Sequence, residues 1–244
     1  MQKYFVSNED FNELKITSSD VFHIKNVMRN KIGDEILIGS NNKTYLAKIT
    51  NIKDDVINYE IKEEKIGNME LPVFISLFQG YPKGDKLDDI IKHSTEMGVS
   101  EIYPTIMKRS LFKLDLKKKE SKLQRFNKIA KEAAEQSYRD IIPNVVDIID
   151  LKKIDFSKYD YKILCYEEDA KMNEESNFKR IVKSLKKDDK IAVVIGPEGG
   201  IDILEYEYLK NLGFISVGLG KRILRTETVI YYVLSSISYE MELK

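Results

Sequence analysis

Tryptophan is absent, cysteine occurs once and proline only five times in 244 residues. A single cysteine, Cys165 within the apolar run KILCY, can build neither a disulfide framework nor a cysteine metal cluster. A reducing interior is therefore expected, with no metal and with Cys165 as a small buried hydrophobe. No apolar stretch approaches the roughly 20 residues of a membrane span. The opening MQKYFVSNED lacks the apolar core of a signal peptide, so a cytoplasmic location without a membrane partner is expected. Net charge is also missing, since 40 basic residues face 40 acidic ones. That balance excludes a uniformly basic nucleic-acid binder, and distribution then matters more than the sum.

The distribution is uneven. Between Lys108 and Arg139 there are eleven basic residues, among them Arg109, Lys113 and Arg125, against the four acids Asp115, Glu120, Glu132 and Glu135. This stretch is a candidate phosphate-facing surface, although a solvated helix face carries the same pattern. The 42% hydrophobic content and the length suit one large or two modest domains with a sizeable core.

The chain is organised around Lys190 to Val229. Ile191 to Ile195 is a continuous apolar run with two Val and two Ile, as a parallel strand covered on both faces requires, and Gly196, Gly199 and Gly200 interrupt it. Asp202 is a helix N-cap and Glu205 completes a capping box before LEYEYLKNL, which Gly213 stops. Phe214 to Val217 is the next strand, and a second glycine loop opens the last helix near Thr226. This βαβ unit places both loops at the carboxyl ends of parallel strands, where open α/β sheets bind ligands. A nucleotide-like ligand follows, though GPEGG fits neither the P-loop nor the GxGxxG spacing.

Residues 1 to 68 read as a small β domain with strands EILIGS, TYLAKITNI and VINYEIKEE and turns at Gly39 to Asn42 and at Asp54 and Asp55. A short helix before them places Ile24, Val27 and Met28 on one inward face and Lys25, Arg29 and Lys31 outside. IGNMELP is the linker, and residues 73 to 244 form the second domain. It opens with VFISLF, a helix over about Asp85 to Met97 and a strand to Tyr103. The helix ESKLQRFNKIAKEAAEQ follows, whose end places Glu135, Gln136, Ser137 and Arg139 on the surface by periodicity.

Several words are more specific than these patterns. GPEGG at 196–200, LGKRILRTET at 219–228, EAAEQSYR at 132–139 and KGD with TEMGVSEIYP resemble the RsmE family of ribosomal RNA uridine N3-methyltransferases, of the SPOUT class. His23, Val27, Arg29, Gly33 and Asp34 match its N-terminal pattern, while His93 and Tyr138 stand where lysine and glycine are usual. The resemblance implies an α/β fold, a SPOUT-type parallel sheet with a C-terminal trefoil knot behind a PUA-like β-barrel that binds RNA. General topology rules alone would give an unknotted sheet. It further implies S-adenosylmethionine as cofactor, small-subunit ribosomal RNA or the subunit itself as partner, and a homodimer. The implied reaction is methyl transfer to N3 of a uridine; another SPOUT RNA methyltransferase and a non-catalytic assembly factor are the alternatives. On this reading Gly196, Gly199, Gly200, Leu219, Gly220, Ile223 and Leu224 hold the cofactor. Arg225 and Arg139 orient the base or stabilise charge, and Glu198 is either a base or an acceptor that holds its own loop. Thr226 is a cap, and Lys25, Arg29, Arg109 and Arg222 face RNA.

Overall fold

The computed structural model describes residues 1–17, 19–111, 116–168 and 175–243. Lys113 and Asp115 of the basic stretch lie outside them. The described chain forms two compact units, one of Met1–Glu70 with Ala134–Ile141, the other of Leu71–Ala133 with Ile142–Lys244. The segment Ala134–Ile141, assigned from sequence to the second domain, thus packs in the first unit.

The first unit is a five-stranded sheet in which β1 (Lys3–Phe5), β3 (Glu35–Ser40), β4 (Lys43–Ile52), β5 (Ile57–Lys65) and β2 (Lys15–Ile16) follow in that order. Its edge strands β1 and β2 do not pair among the described residues, so the sheet is open and curled where a closed barrel was expected. The β3–β4 turn puts Asn41 and Asn42 at φ 52° and 58°, the left-handed pair a two-residue hairpin requires and asparagine tolerates. Tyr4, Ile16, Ile24, Ile36, Ile38, Ala47, Ile49 and Ile57 fill its core. A short α1 (Asn8–Asn12) and α2 (Asp20–Phe22) flank it, and α2 continues as a π-helical turn over His23–Val27. That turn corrects the sequence reading. Met28 N–H donates to His23 O at 2.9 Å, a wider winding than the α-helix. Ile24 therefore stays inside while Val27 and Met28 turn out, 57% and 45% exposed.

The second unit holds a parallel sheet in the order β12 (Ile215–Val217), β10 (Tyr161–Cys165), β11 (Lys190–Ile195), β6 (Phe74–Gly80), β7 (Glu101–Ile106) and β8 (Asn144–Val145), with β9 (Ile149–Asp150) also on β7. Its middle strands are apolar on both sides because both faces are covered. One face carries Ile75, Leu77, Ile163, Ile191 and Val193 under α3 (Lys86–Glu96) and α7 (Thr226–Glu242), together with residues of α4 (Leu116–Gln136) and α5 (Glu175–Ser184). The other carries Phe78, Leu164, Ala192 and Val194 against Phe156, Phe214 and Leu209 of α6 (Ile203–Asn211). No described helix is long and apolar enough to cross a membrane.

Parallel register fixes the site. Cys165 pairs with Ile195 and with Val217, and Ile195 with Gln79. The strand ends of β6, β10, β11 and β12 therefore share one edge, and the loops that leave them converge there.

Candidate active site

Those loops enclose a cavity of about 360 Å³ in the second unit. Ile195, Ile201, Val217, Leu219, Leu224 and Val229 give it an apolar wall. Glu167, Glu198, Glu227, Lys86, Arg222 and Arg225 supply charged groups around it.

Backbone crowding shapes the first loop. A Cβ on Gly80 would lie 2.5 Å from Pro197 N, and one on Gly196 2.8 Å from Ile201 Cγ1, so the strand ends and the loop approach as only glycine permits. Gly200 sits at φ 71° and donates its N–H to Pro197 O at 2.9 Å, closing the turn. Asp202 caps α6 by accepting from Leu204 N–H at 3.1 Å. The expected capping box does not form. Glu205 is buried and accepts instead from Lys108 N–H at 2.7 Å, which fastens the β7 loop to α6.

Thr226 has a larger part than a cap. Arg225 is the N-cap residue of α7, without a side-chain capping bond. The Thr226 hydroxyl donates to Gly196 O at 2.7 Å and accepts from Gln79 Nε2 at 2.8 Å. One buried hydroxyl thus ties the start of the last helix to the ends of β11 and β6.

Glu198 Oε1 and Oε2 accept from Lys83 N–H at 3.1 and 3.2 Å, and Oε1 pairs with Lys86 Nζ at 3.0 Å. Burial opposes its ionisation. Backbone donors at Glu198 and Lys83 and the Lys86 ammonium outweigh that, holding the carboxyl below the ordinary carboxylate range. A carboxylate so served is a weak proton acceptor, and the geometry is that of a group holding its loop.

Of the residues singled out from sequence, Gly196, Glu198, Gly200, Leu219, Arg222, Ile223, Leu224 and Arg225 line this cavity. Gly199 does not: its carbonyl accepts from Arg109 Nη1 at 3.0 Å on the loop's other side. Arg109 is thereby committed to the loop, with Asp202 Oδ2 3.9 Å from its Nε. Gly220, at φ 97°, lines a separate groove between α5 and α7. Arg225 and Arg222 are exposed, and neither side chain has a hydrogen-bond or ion-pair partner among the described residues.

Arg139 is not at this cavity. It belongs to the first unit and is 3% exposed, with its Nε 3.1 Å from Glu70 Oε2 and its Nη2 on the same oxygen. Glu70 also accepts from the N–H groups of Asp140 and Ile141 at 3.0 and 3.1 Å. Glu135, 7% exposed, accepts from Phe5 N–H at 2.9 Å. Of the helix end that periodicity puts on the surface, Glu135 and Arg139 are thus buried, while Gln136 stays exposed. Tyr138 holds φ 61° without being glycine, its hydroxyl donating to Met1 O at 2.5 Å. In the same unit Lys25 Nζ is taken by Lys53 O at 3.1 Å and by Asp54, whereas Arg29 is exposed and has no such partner among the described residues.

Sequence reasoning missed Lys86, Gln79 and the β10 loop. Cys165, Tyr166 and Glu167 all line the cavity. The position of YEE directly after a buried strand was the available signal for Glu167, since that strand ends on the ligand-binding edge.

The sequence profile described as RNA methyltransferase domain matches residues 69–238, and the RNA methyltransferase PUA domain profile matches residues 16–57. A ribosomal RNA small subunit methyltransferase E of Bacillus subtilis is 41% identical, over 100% of this chain and 98% of that protein. The chain belongs to the ribosomal RNA small subunit methyltransferase E family. A crystal structure of a family member from Neisseria gonorrhoeae, bound to S-adenosyl methionine, has a TM-score of 0.82 at 27% identity, covering 98% of this chain and 97% of that one. A putative methyltransferase of Legionella pneumophila, in complex with the same cofactor, has a TM-score of 0.78 at 26% identity over 92% and 90% of the two chains.

Proposed function

We propose that this chain transfers a methyl group from S-adenosylmethionine to N3 of a uridine in small-subunit ribosomal RNA. The observation that carries the reading is the cavity between the Gly196–Gly200 loop and the Leu219–Arg225 loop, apolar on one wall and charged around the rest.

The residues fit the cofactor. Apolar side chains suit an adenine ring, and Glu167, a cavity carboxylate without a partner among the described residues, suits a ligand of positive charge with hydroxyl donors. When bound, S-adenosylmethionine supplies a methyl group on a sulfonium that leaves as a neutral thioether, so no general acid is needed. The residues of this chain then act on the nucleophile. N3 of uracil must lose its proton, and charge spreads onto O2 and O4. The free guanidinium of Arg225 is the donor for that charge, acting in a site partly shielded from water. Glu198 holds the first loop, and the N3 proton passes to water. Arg139 is bound to Glu70 in the first unit and does not line this cavity.

N3 lies on the pairing edge of the base, so the uridine must be unpaired or flipped. Arg29 and Arg222, exposed and unpartnered among the described residues, are the phosphate contacts of this reading. The trefoil knot and the homodimer belong to it too. Support for the first is the Thr226 tether between the last helix and two earlier strand ends. Support for the second is the groove lined by Phe178, Val182, Tyr232 and Tyr239 on α5 and α7.

Mass spectrometry of ribosomal RNA nucleosides from cells with and without the gene tests the reaction. N3-methyluridine should vanish with the gene and return with the protein. Its persistence in the deletion strain would refute the assignment, and a chain that binds ribosomal RNA without affinity for the cofactor would be an assembly factor instead.

A further inference from the structure

Lys86, the first residue of α3, is the lysine of the cavity wall. Its Nζ lies 3.0 Å from Glu198 Oε1 and 3.7 Å from Glu227 Oε2. Glu198 belongs to the loop after β11 and Glu227 to the first turn of α7, so one cation stands between both walls of the site.

The two carboxylates are served unequally. Glu198 has the Lys83 N–H as well. Glu227 Oε2 is buried with no hydrogen-bond partner among the described residues, and the ammonium 3.7 Å away is the countercharge it has. A buried carboxylate oxygen left so is costly unless a charge compensates it. The other groups facing the trio are Arg225 from the second loop and Tyr231 from α7, whose hydroxyl donates to Asp89 O at 3.1 Å on α3. Arg225 repels the lysine. The hydrogen bond to Glu198, with the field of both carboxylates, outweighs that and holds Lys86 above its ordinary value, so it is charged throughout the working range.

We propose that Lys86 is a positioning residue of this site, its ammonium tying the Glu198 loop to the Glu227 end of α7 and keeping the cavity at the width that grips the cofactor. The role rests on the S-adenosylmethionine reading and deepens it. Without the ammonium, two carboxylates would share the rim, one of them buried and uncompensated. Removing the Glu227 charge as well would relieve that repulsion and so do part of what the lysine does.

Calorimetric titration of S-adenosylmethionine into the full chain tests this, comparing the natural protein with K86M, K86R and K86M/E227Q at about pH 8. K86M should bind about tenfold more weakly than the natural protein. K86R should stay within about threefold of the natural protein, and K86M/E227Q should recover most of the loss. K86M binding like the natural protein would overturn the proposal, as would an equal loss in K86M and in the double variant. If the natural chain has no affinity for the cofactor, the cofactor reading is what fails. Melting of the ligand-free variants then still decides the tie: K86M should fall below the natural protein and K86M/E227Q should recover part of that fall, and no recovery would refute it.

Discussion

Arg225 and Glu198 show how neighbours decide a side chain's chemistry. Both line the cavity, yet only the arginine has no partner among the described residues. Arg225→Ala should therefore lower methyl transfer by about two orders of magnitude while cofactor affinity stays within about threefold. Equal loss of binding and rate would assign it to the cofactor instead. Glu198 carries a sign that can be worked out. Its folded pKa lies below the ordinary value, so its contribution is complete above the unfolded carboxylate pKa, about 4.3, and is lost as pH falls through the folded value. Cofactor affinity measured downward from about pH 6 should thus hold until below about pH 4 in the natural protein. A loss already at about pH 6 would mean that Glu198 is not the group in control. Gly80 is the most crowded of the loop glycines. Gly80→Ala should cost about 1–3 kcal/mol in unfolding free energy and abolish cofactor binding, because the added carbon would displace Pro197.

At the scale of elements, regular strands and helices were legible in sequence, and irregular ones were not. The strand Ile191 to Ile195 announces itself by β-branched residues, and Asp202 and Gly213 punctuate α6 where expected. The face of α3 with Leu87, Ile90, Ile91 and Ser94 inward follows its periodicity. The π-helical turn at His23–Val27 broke a reading built on 3.6 residues per turn. EAAEQSYR was misread for another reason. Periodicity reports which face of a helix is apolar, whereas Glu135 and Arg139 are buried as partners of Phe5 N–H and Glu70, a fact of tertiary pairing that no local pattern carries. Since one partner removed from a buried pair leaves the other uncompensated, Arg139→Met should destabilise the protein by about 3–5 kcal/mol in urea unfolding. Replacing Glu70 by Met at the same time should return part of that loss. A surface-like effect below about 0.5 kcal/mol would contradict the buried latch.

For the molecule as a whole, the two units call for separate tests. The cavity between the two loops lies wholly in residues of the second unit. Saturating S-adenosylmethionine, at about a hundredfold excess over its dissociation constant, should add about 2.7 kcal/mol to that unit. Hydrogen exchange should then slow around residues 195–229 and stay unchanged across Met1–Glu70. Slowing confined to the first unit would place the ligand elsewhere. From sequence, the two-loop cavity could be named by its family words but not its depth, because Gly80, Gln79 and Lys86 come from segments whose local patterns mention no ligand.

The bond from Thr226 to Gly196 O spans 30 positions of the chain. In a chain made from its N-terminal end, the strands β6 and β11 are synthesised before Thr226, the residue whose hydroxyl joins their ends. The pocket consequently has no partly built form: until α7 has emerged and settled, a nascent polypeptide carries the walls of the site without the fastening that makes them a container.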